Sequence, residues 1–313
     1  MSLRSLFRPR KIHDVFTPTS QAKLTFVERR TADKDLIRAI NTPGYQVILY
    51  GYSGSGKSTL IFKRLKELGR KYIVTRCEEG TTLENVLLSA FDSLNPFYID
   101  EKNNKLSGKI SGEVKTTYKL IEGKISSEIG AEEGYKYKRA LPPQLTPQKL
   151  GEFFGAANCS WIIEDFHKVP DVEKKRLSQI MKIFMDIASD FRETKVYAIG
   201  AVGTARQVLN YDKELTNRVA EINVPLMNEE ELKLIISKGE KILNIKFGDV
   251  ITDRIVNLSN GLASVCHHLC LNICINNEIK KSKLFTNNFK ESDLDHAVEK
   301  YVLERAQQRF VPL

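Results

Sequence analysis

The sequence predicts an α/β protein in which a parallel sheet is followed by an all-helical C-terminal region. Between residues 45 and 227, short apolar runs rich in β-forming residues alternate with segments of helical spacing, a pattern typical of parallel βαβ units. From Asn228 onward the apolar segments have helical spacing only. We therefore expect an α/β domain over 25–227 and a helical lid domain over 228–313.

The predicted elements follow in a regular order. Residues 1–24 are basic and without a clear period, which predicts a loosely held lead-in. A helix after Phe26, with Thr31 as its cap, precedes a Pro-Gly break and a buried strand at Tyr45–Tyr50. Further strands are expected at 71–77, 159–163, 196–199 and up to Val224, and helices at 59–68, 83–94, 147–154, 172–189, 229–243, 250–258, 263–280 and 292–309.

Residues 97–140 interrupt this alternation. Gly, Lys, Glu and Ser dominate the segment, and its apolar face is thin. Such a composition cannot build an independent core. We expect an insertion, either a pair of short antiparallel strands or a mobile loop.

Composition narrows the class of protein. The 313 residues are 42% hydrophobic and 28% charged, as in ordinary globular proteins, and the net charge is +9. A basic balance favours phosphate-rich partners. The basic N-terminus itself is interpreted as a solvated tail, with a nucleic-acid arm as the alternative. No signal peptide or membrane span is apparent, and the five cysteines are an odd number, so we expect a cytoplasmic protein with reduced thiols and no membrane contact.

Residues 51–58, Gly-Tyr-Ser-Gly-Ser-Gly-Lys-Ser, match the phosphate-loop pattern G-x-x-x-x-G-K-[ST] between a predicted strand and a predicted helix. Loop amides and the helix N-terminus would cradle phosphates. Lys57 would reach the β- and γ-phosphates, Ser58 would hold Mg²⁺, and Thr59 would donate to the α-phosphate. The predicted nucleotide ligands in this segment are Gly51, Ser53, Gly54, Ser55, Gly56, Lys57, Ser58 and Thr59.

A second predicted strand ends in two acidic residues, Glu164 and Asp165. Phosphate-loop enzymes place a carboxylate near the metal at the end of a neighbouring strand. Glu164 would hold Mg²⁺ through its water shell, and Asp165 would orient and deprotonate the attacking water. The division of these two roles stays open, as does the alternative of a solvated acidic turn.

The phosphate loop, the strand "WIIEDFHKV" and the later "VYAIGAVGTARQVL…LTNRVAEINVPLMNEEEL" together resemble AAA+ ATPases, with the origin-recognition-like and STAND-like branch as the nearest. The resemblance spans about residues 26–280. It implies ATP and Mg²⁺ as ligands, and no N-K-x-D guanine motif follows the loop.

The resemblance also implies roles for four further residues. Thr204 would sense the γ-phosphate, or else merely cap a turn. Arg218 would reach a nucleotide, commonly across a subunit interface, or else form a surface salt bridge. Val27 and Arg30 would pack on the adenine. The lid arginine of the family has no counterpart in residues 260–264, which favours slow turnover.

Three functions follow as alternatives. The first is a regulatory ATPase switch that acts on a partner effector protein and forms a homo-oligomer on ATP binding, for example in bacterial anti-phage defence. The second is a DNA-binding initiator- or loader-like ATPase. The third is a module that holds ATP without hydrolysing it.

One other cluster suggests a metal site. Cys266, Cys270 and Cys274 share one face of a predicted helix. The outer two would lie ~12 Å apart, which is too far for a single zinc ion. We expect a buried helix face there.

Overall fold

The computed structural model describes residues 9–94, 146–202, 215 and 217–309. The predicted insertion at 97–140 lies outside these residues. Contacts group the chain into two compact units. The sheet unit comprises the described parts of 31–50 and 64–223, and the helical unit comprises those of 1–30, 51–63 and 224–313. The predicted division at residue 228 stays a prediction.

The sheet unit contains a parallel sheet of five described strands. They are β1 (Gln46–Tyr50), β2 (Lys71–Arg76), β3 (Cys159–Glu164), β4 (Val196–Gly200) and β5 (Val219–Asn223). Their order is β2-β3-β4-β1-β5. In register, Ile163 of β3 lies opposite Ala198 of β4, and Tyr50 of β1 lies opposite Gly200 of β4. Because all strands are parallel, the carboxyl ends of β1 and β3 lie at the same edge.

Helices accompany these strands in the order that the βα pattern predicts. They are α2 (Arg30–Asn41), α3 (Lys57–Glu67), α4 (Leu83–Ser93), α5 (Pro147–Ala156) and α6 (Asp171–Asp186), which a 3-10 turn at Ile187–Ser189 extends. Thr31 was expected to cap α2, but the helix already includes Arg30, so the predicted cap is wrong.

Aromatic packing and one buried ion pair stabilise the sheet unit. Trp161 of β3 is fully buried, and its ring stacks on that of Phe154 with centroids 5.7 Å apart. Its indole N–H donates to the hydroxyl of Thr75. Beside the sheet, Arg64 of α3 donates from Nε to Asp33 of α2 at 2.5 Å, and both side chains are less than 10% exposed. Removing one partner of such a pair is costly, because the remaining charge stays buried.

The first turns of α3 belong to the helical unit, and five further described helices lie wholly within it. They are α1 (Ile12–Val15), α7 (Glu229–Leu243), α8 (Asp249–Ser259), α9 (Ala263–Asn276) and α10 (Glu291–Arg309). The helix α7 begins with a capping box between Asn228 and Glu231 and ends at Asn244, whose φ is 56°. The region is not wholly helical as predicted, because β6 (Ile245–Lys246) pairs in parallel with β7 (Asn287–Asn288).

The N-terminal segment belongs to the core of this unit. Ile12, Val15 and Phe16 are buried, and the ring of Phe16 lies where a Cβ on Gly239 would come within 2.3 Å. The predicted loosely held lead-in is therefore wrong for residues 12–16, because apolar side chains spaced three and four apart bury one face. No described helix has the length and apolar content needed to cross a bilayer.

Candidate functional site

The phosphate loop, residues 51–58, begins directly after β1 and ends in the first turn of α3. Its glycines have positive φ, 153° at Gly51, 80° at Gly54 and 94° at Gly56. A Cβ at Gly51 would lie 2.4 Å from the carbonyl oxygen of Val224, so only glycine fits there. The backbone thus follows the tight curve that a phosphate cradle requires.

Lys57 is the first residue of α3, and its side chain folds back over the loop. Its Nζ donates to the carbonyl oxygens of Gly51, at 3.0 Å, and of Tyr52, at 2.8 Å. In the same helical turn, the N–H groups of Ser58 and Thr59 have no partner within the helix. An ammonium beside a helix N-terminus favours an anionic ligand such as a phosphate.

The buried hydroxyl of Ser55 indicates whether a nucleotide would fit this loop. The residue is 1% exposed, and its Oγ has no hydrogen-bond partner among the described residues. Leaving a buried hydroxyl unpaired costs ~1–3 kcal/mol, which a ligand would offset. A Cβ on Gly56 would meet nothing within 4 Å, so open space lies beside the loop. The residues present therefore fit a phosphate tail, and the half-buried hydroxyl of Ser58 is an oxygen ligand suited to Mg²⁺.

The sequence did not indicate Arg29, whose guanidinium hydrogen-bonds to the backbone of the phosphate loop. Its guanidinium is almost fully buried and donates from Nη1 to the carbonyl oxygen of Ser55 at 3.2 Å. Nη2 donates to the carbonyl oxygen of Pro225, and Nε lies 3.5 Å from a carboxylate oxygen of Glu231 in α7. Arg29 thus joins the phosphate loop to the start of α7.

The predicted adenine contacts lie on either side of Arg29. Val27 is 4% exposed and packs in the core of the helical unit, whereas Arg30 is exposed at the start of α2. Their contact with an adenine stays a prediction. A sequence signal that could have identified Arg29 is its position between an apolar segment and the start of a predicted helix.

The first turn of α9 contacts the loop. The N–H of Ser264 donates to the carbonyl oxygen of Gly54 at 3.3 Å, and a Cβ on Gly54 would lie 2.2 Å from Ser264 Oγ. Glycine is therefore required at 54 by close approach as well as by its φ of 80°. A serine and an alanine occupy this turn, so α9 brings a hydroxyl rather than a guanidinium to the loop.

In the sheet unit, the two acidic residues after β3 have different surroundings. Glu164 is the last residue of β3, and its side chain is 13% exposed and 3.2 Å from Nε of Arg76, at the end of β2. Asp165 has φ 56° in the left-handed region, and its side chain is half exposed and paired with Lys168 at 3.1 Å. The sequence did not indicate the Arg76 pair, because β2 and β3 become neighbours only in the folded sheet.

Cys77 lies at the same sheet edge and is a buried, neutral thiol. Its N–H donates to the carbonyl oxygen of Glu164. Burial, together with the nearby Asp165 carboxylate, raises the pKa of Cys77 to about 12. A thiol with so high a pKa is a core residue and a poor nucleophile.

The remaining predicted residues are placed as follows. Arg218 precedes β5, is largely exposed and lies 3.8 Å from Asp186. Its role at a nucleotide stays a prediction. Thr204 lies outside the described residues. Within the described part of the chain, no three His, Cys, Asp or Glu side chains are arranged to share a metal ion, and Cys266, Cys270 and Cys274 are buried.

Comparison with solved structures gives the fold. The Walker-type ATPase PABY2304 of Pyrococcus abyssi matches with a TM-score of 0.55 and 16% identity, covering 91% of this chain and 77% of the other. The ORC2 protein of Aeropyrum pernix, solved as ADPNP–ADP complexes, matches with a TM-score of 0.57 and 13% identity, covering 91% and 70%. Cdc6p of Pyrobaculum aerophilum matches with a TM-score of 0.54 and 12% identity, covering 85% and 66%.

Neither a protein-family model nor a curated protein matches the sequence. At these identities the structural likeness concerns the fold, and it agrees with the strand order and the phosphate loop described above. This chain therefore has the fold of a parallel-sheet P-loop nucleoside triphosphatase domain followed by a helical C-terminal region.

Proposed function

We propose that this protein binds ATP with Mg²⁺ and hydrolyses it slowly, as an AAA+/STAND-like switch that acts on a partner protein. The observation that carries the proposal is the position of Lys57. Its ammonium hydrogen-bonds to backbone carbonyl oxygens of a loop that contains three glycines with positive φ. A triphosphate would offer this ammonium stronger, charged acceptors than the two carbonyl oxygens it now contacts.

The chemistry would be attack of water on the γ-phosphate. Lys57 and the loop amides would stabilise charge that develops on the phosphate oxygens. Ser58 would hold Mg²⁺, with Glu164 acting through the metal's water shell. When bound, Mg²⁺ supplies neutralisation of phosphate charge. Asp165 would orient the attacking water, and the two carboxylates could exchange roles.

Slow turnover is supported by the residues at the start of α9. Residues 260–264 include no arginine, so the transition-state charge would lack one cationic partner from the lid. Arg218 of a second copy would supply such a charge, which links hydrolysis to ATP-dependent association. An enzyme of this kind spends most of its time with nucleotide bound and suits control of an effector protein.

Replacing Lys57 tests the nucleotide proposal. Lys57→Ala should weaken ATP binding, measured by calorimetry, and lower phosphate release on the order of a hundredfold or more. Lys66→Ala is the matched control, because Lys66 is an exposed lysine of the same helix. Unchanged ATP binding in Lys57→Ala would refute the proposal.

The acidic residues and the switch are tested together. Glu164→Gln and Asp165→Asn should each keep ATP binding and lose phosphate release. The variant whose ATP binding no longer depends on Mg²⁺ identifies the carboxylate that acts through the metal.

The molecular mass of both variants in solution should be measured by light scattering with and without ATP. A mass that ATP leaves unchanged, with no gain in partner binding, would contradict a switch.

A further inference from the structure

Two basic segments of the helical unit pair with each other along the backbone. Lys11 and Lys281 form an isolated antiparallel bridge. Beside it, the N–H of Ser282 donates to the carbonyl oxygen of Arg10 at 2.8 Å, and the N–H of Arg10 donates to the hydroxyl of Ser282 at 3.1 Å. The fold therefore brings together cations from two distant parts of the sequence.

We define the basic surface as the exposed cations of these two segments: Arg10, Lys11, Lys280, Lys281 and Lys283. None of the five forms an ion pair within the described part of the chain. The exposed acids nearest to them in sequence are Asp14 and Glu278, so positive charge remains in excess. Lys11 and Lys281 lie directly opposite each other, and like charges in that arrangement are destabilising. A local conflict that a fold retains is typical of a functional site, here one for an anionic partner.

Two large apolar side chains follow Lys283 in the chain. Leu284 and Phe285 are 85% and 87% exposed. Single exposed apolar residues are ordinary, but two adjacent ones at this exposure form a small apolar patch. We call Leu284 and Phe285 the apolar tip. Cations and an apolar patch therefore share one loop.

The apolar tip is held in place by Asn244. The side-chain amide of Asn244 donates to the carbonyl oxygens of Lys283, at 3.2 Å, and Leu284, at 3.1 Å. Its oxygen accepts the hydroxyl of Thr286 at 2.9 Å. Because the loop is bound on both sides of Phe285, the exposure of the apolar tip is set by the loop's own hydrogen bonds. A loop that is already ordered loses less conformational freedom when it binds a partner.

The apolar tip indicates which class of anionic partner fits this surface. In protein–protein interfaces, a few buried anchors inside a polar rim carry much of the binding energy, and aromatic side chains are enriched among them. Sequence-independent binding of nucleic acid is carried mainly by cations that contact phosphates and does not require an apolar pair. An anionic bilayer would need more apolar area than two side chains provide. A protein segment with both acidic and apolar side chains matches both features.

We propose that the basic surface and the apolar tip bind an acidic segment of a partner protein, whose own apolar side chains cover Leu284 and Phe285. Carboxylates of the segment pair with the cations of the rim and speed the encounter, while burial of the apolar tip slows dissociation. The same carboxylates offset the repulsion between Lys11 and Lys281. This assignment rests on the proposed function in one respect, because the segment would belong to the partner protein that the switch controls.

Binding at this surface requires neither ATP hydrolysis nor Lys57. The variant Lys57→Ala should therefore lose ATP binding and still bind an acidic segment as the wild type does. ATP binding and phosphate release report on the nucleotide proposal, whereas binding of a peptide in the absence of nucleotide reports on the basic surface. The two proposals can thus fail independently.

The test is fluorescence anisotropy with the full chain and a labelled peptide of about 20 residues, the number that one side of a typical interface contributes. The mixed peptide consists of Glu and Asp with Leu and Phe spaced along it, and the acidic peptide has Ser in place of every Leu and Phe. The wild type should bind the mixed peptide about tenfold more tightly than the acidic peptide. Its affinity for the mixed peptide should fall as salt rises.

Two double variants separate the contributions of charge and of the apolar tip. Lys281→Glu/Lys283→Glu should weaken binding of the mixed peptide about tenfold or more and remove most of its salt dependence. Leu284→Ser/Phe285→Ala should also weaken it about tenfold, but with the salt dependence unchanged, and should bind the two peptides equally. Unchanged ATP binding in each variant checks that the chain is folded.

Each double variant has a matched control. Lys34→Glu/Lys175→Glu reverses two exposed lysines of the sheet unit, and Val302→Ser/Leu303→Ala truncates an apolar pair of α10 that is 56% and 61% exposed. Equal losses in the controls would show that only overall charge or apolar area matters and would overturn the proposal. So would a wild type that does not bind the mixed peptide or that binds both peptides equally. Tighter binding of duplex DNA or phosphatidylserine vesicles than of the mixed peptide would assign the surface to another class of partner and overturn it as well.

Discussion

Arg29 and Ser55 are joined by a hydrogen bond from the buried guanidinium to a carbonyl oxygen of the phosphate loop, at 3.2 Å. Arg29→Ala should lower the free energy of unfolding by ~2–4 kcal/mol, because the Glu231 carboxylate and two carbonyl oxygens lose their partner. ATP binding should weaken as well, because the loop is held less firmly. Urea unfolding and calorimetry measure the two effects.

Arg29→Lys should recover part of the lost stability, because a lysine ammonium keeps the positive charge opposite Glu231. It should not recover all of it, because an ammonium lacks the forked guanidinium that donates to both carbonyl oxygens. Lys23→Ala is the control, because Lys23 is an exposed cation of the same unit with no predicted role at the nucleotide. Equal effects of Arg29→Ala and Lys23→Ala would contradict the assigned role.

Gly54 and Gly56 should respond differently to alanine. Both have positive φ, but a Cβ on Gly54 would lie 2.2 Å from Ser264 Oγ, whereas one on Gly56 meets nothing within 4 Å. Gly54→Ala should therefore weaken ATP binding more than Gly56→Ala does. Adding Ser264→Gly, which removes the obstructing side chain, should restore part of the loss in Gly54→Ala. A double-mutant cycle that shows no coupling would mean that α9 does not pack on the loop in solution.

Phe16 should anchor the N-terminal segment to the helical unit. The side chain is fully buried and packs against Gly239 and the ring of Phe247. Phe16→Ala should lower the free energy of unfolding by ~3–5 kcal/mol. Phe285→Ala, which truncates an 87% exposed phenylalanine, should change it little. Thermal and urea unfolding distinguish the two, and similar losses in both would contradict the packing described.

His267 should make stability depend on acid. Burial, and secondarily the neighbouring His268, lowers the pKa of His267 to about 4, and its Nδ1 accepts the N–H of Thr17 at 3.0 Å. The unfolded chain therefore binds a proton at higher pH than the folded chain does. Above pH 6.5 the residue is neutral in both states, and as pH falls from 6.5 to about 4 stability should fall by up to about 3 kcal/mol.

His267→Asn keeps an acceptor for the Thr17 N–H and removes the titration. The difference in unfolding free energy between wild type and this variant should shrink or reverse as pH falls through that window. The control variant is His13→Asn, which makes the same substitution at an exposed position outside the core. A constant difference in the His267 series would show that burial does not hold this histidine neutral.

The sequence predicted the elements well where one period dominates. The helix α7 has the predicted bounds, Glu229–Leu243, because a capping box begins it and a left-handed asparagine ends it. The strand β3 was predicted equally well, because its apolar residues lie between a turn and the acidic pair Glu164 and Asp165. Adjacent apolar and glycine-rich segments made the phosphate loop recognisable from local pattern alone.

What the sequence could not indicate depends on contacts between distant segments. Arg29 and Arg76 look like ordinary surface arginines until folding places Ser55 and Glu164 beside them. The N-terminal segment is too short for its period to predict burial. It becomes part of a core only because α7, with Gly239, leaves room for the ring of Phe16.

The helical unit draws on three separated stretches of chain, and this has a consequence for biosynthesis. A ribosome delivers the phosphate loop well before residues 224–309. The neighbours that shape the loop, Val224 beside Gly51, Glu231 beside Arg29 and Ser264 beside Gly54, all belong to that later stretch. A nascent chain therefore cannot complete the surroundings of its phosphate loop until Ser264 has been translated, about 200 residues after the loop itself.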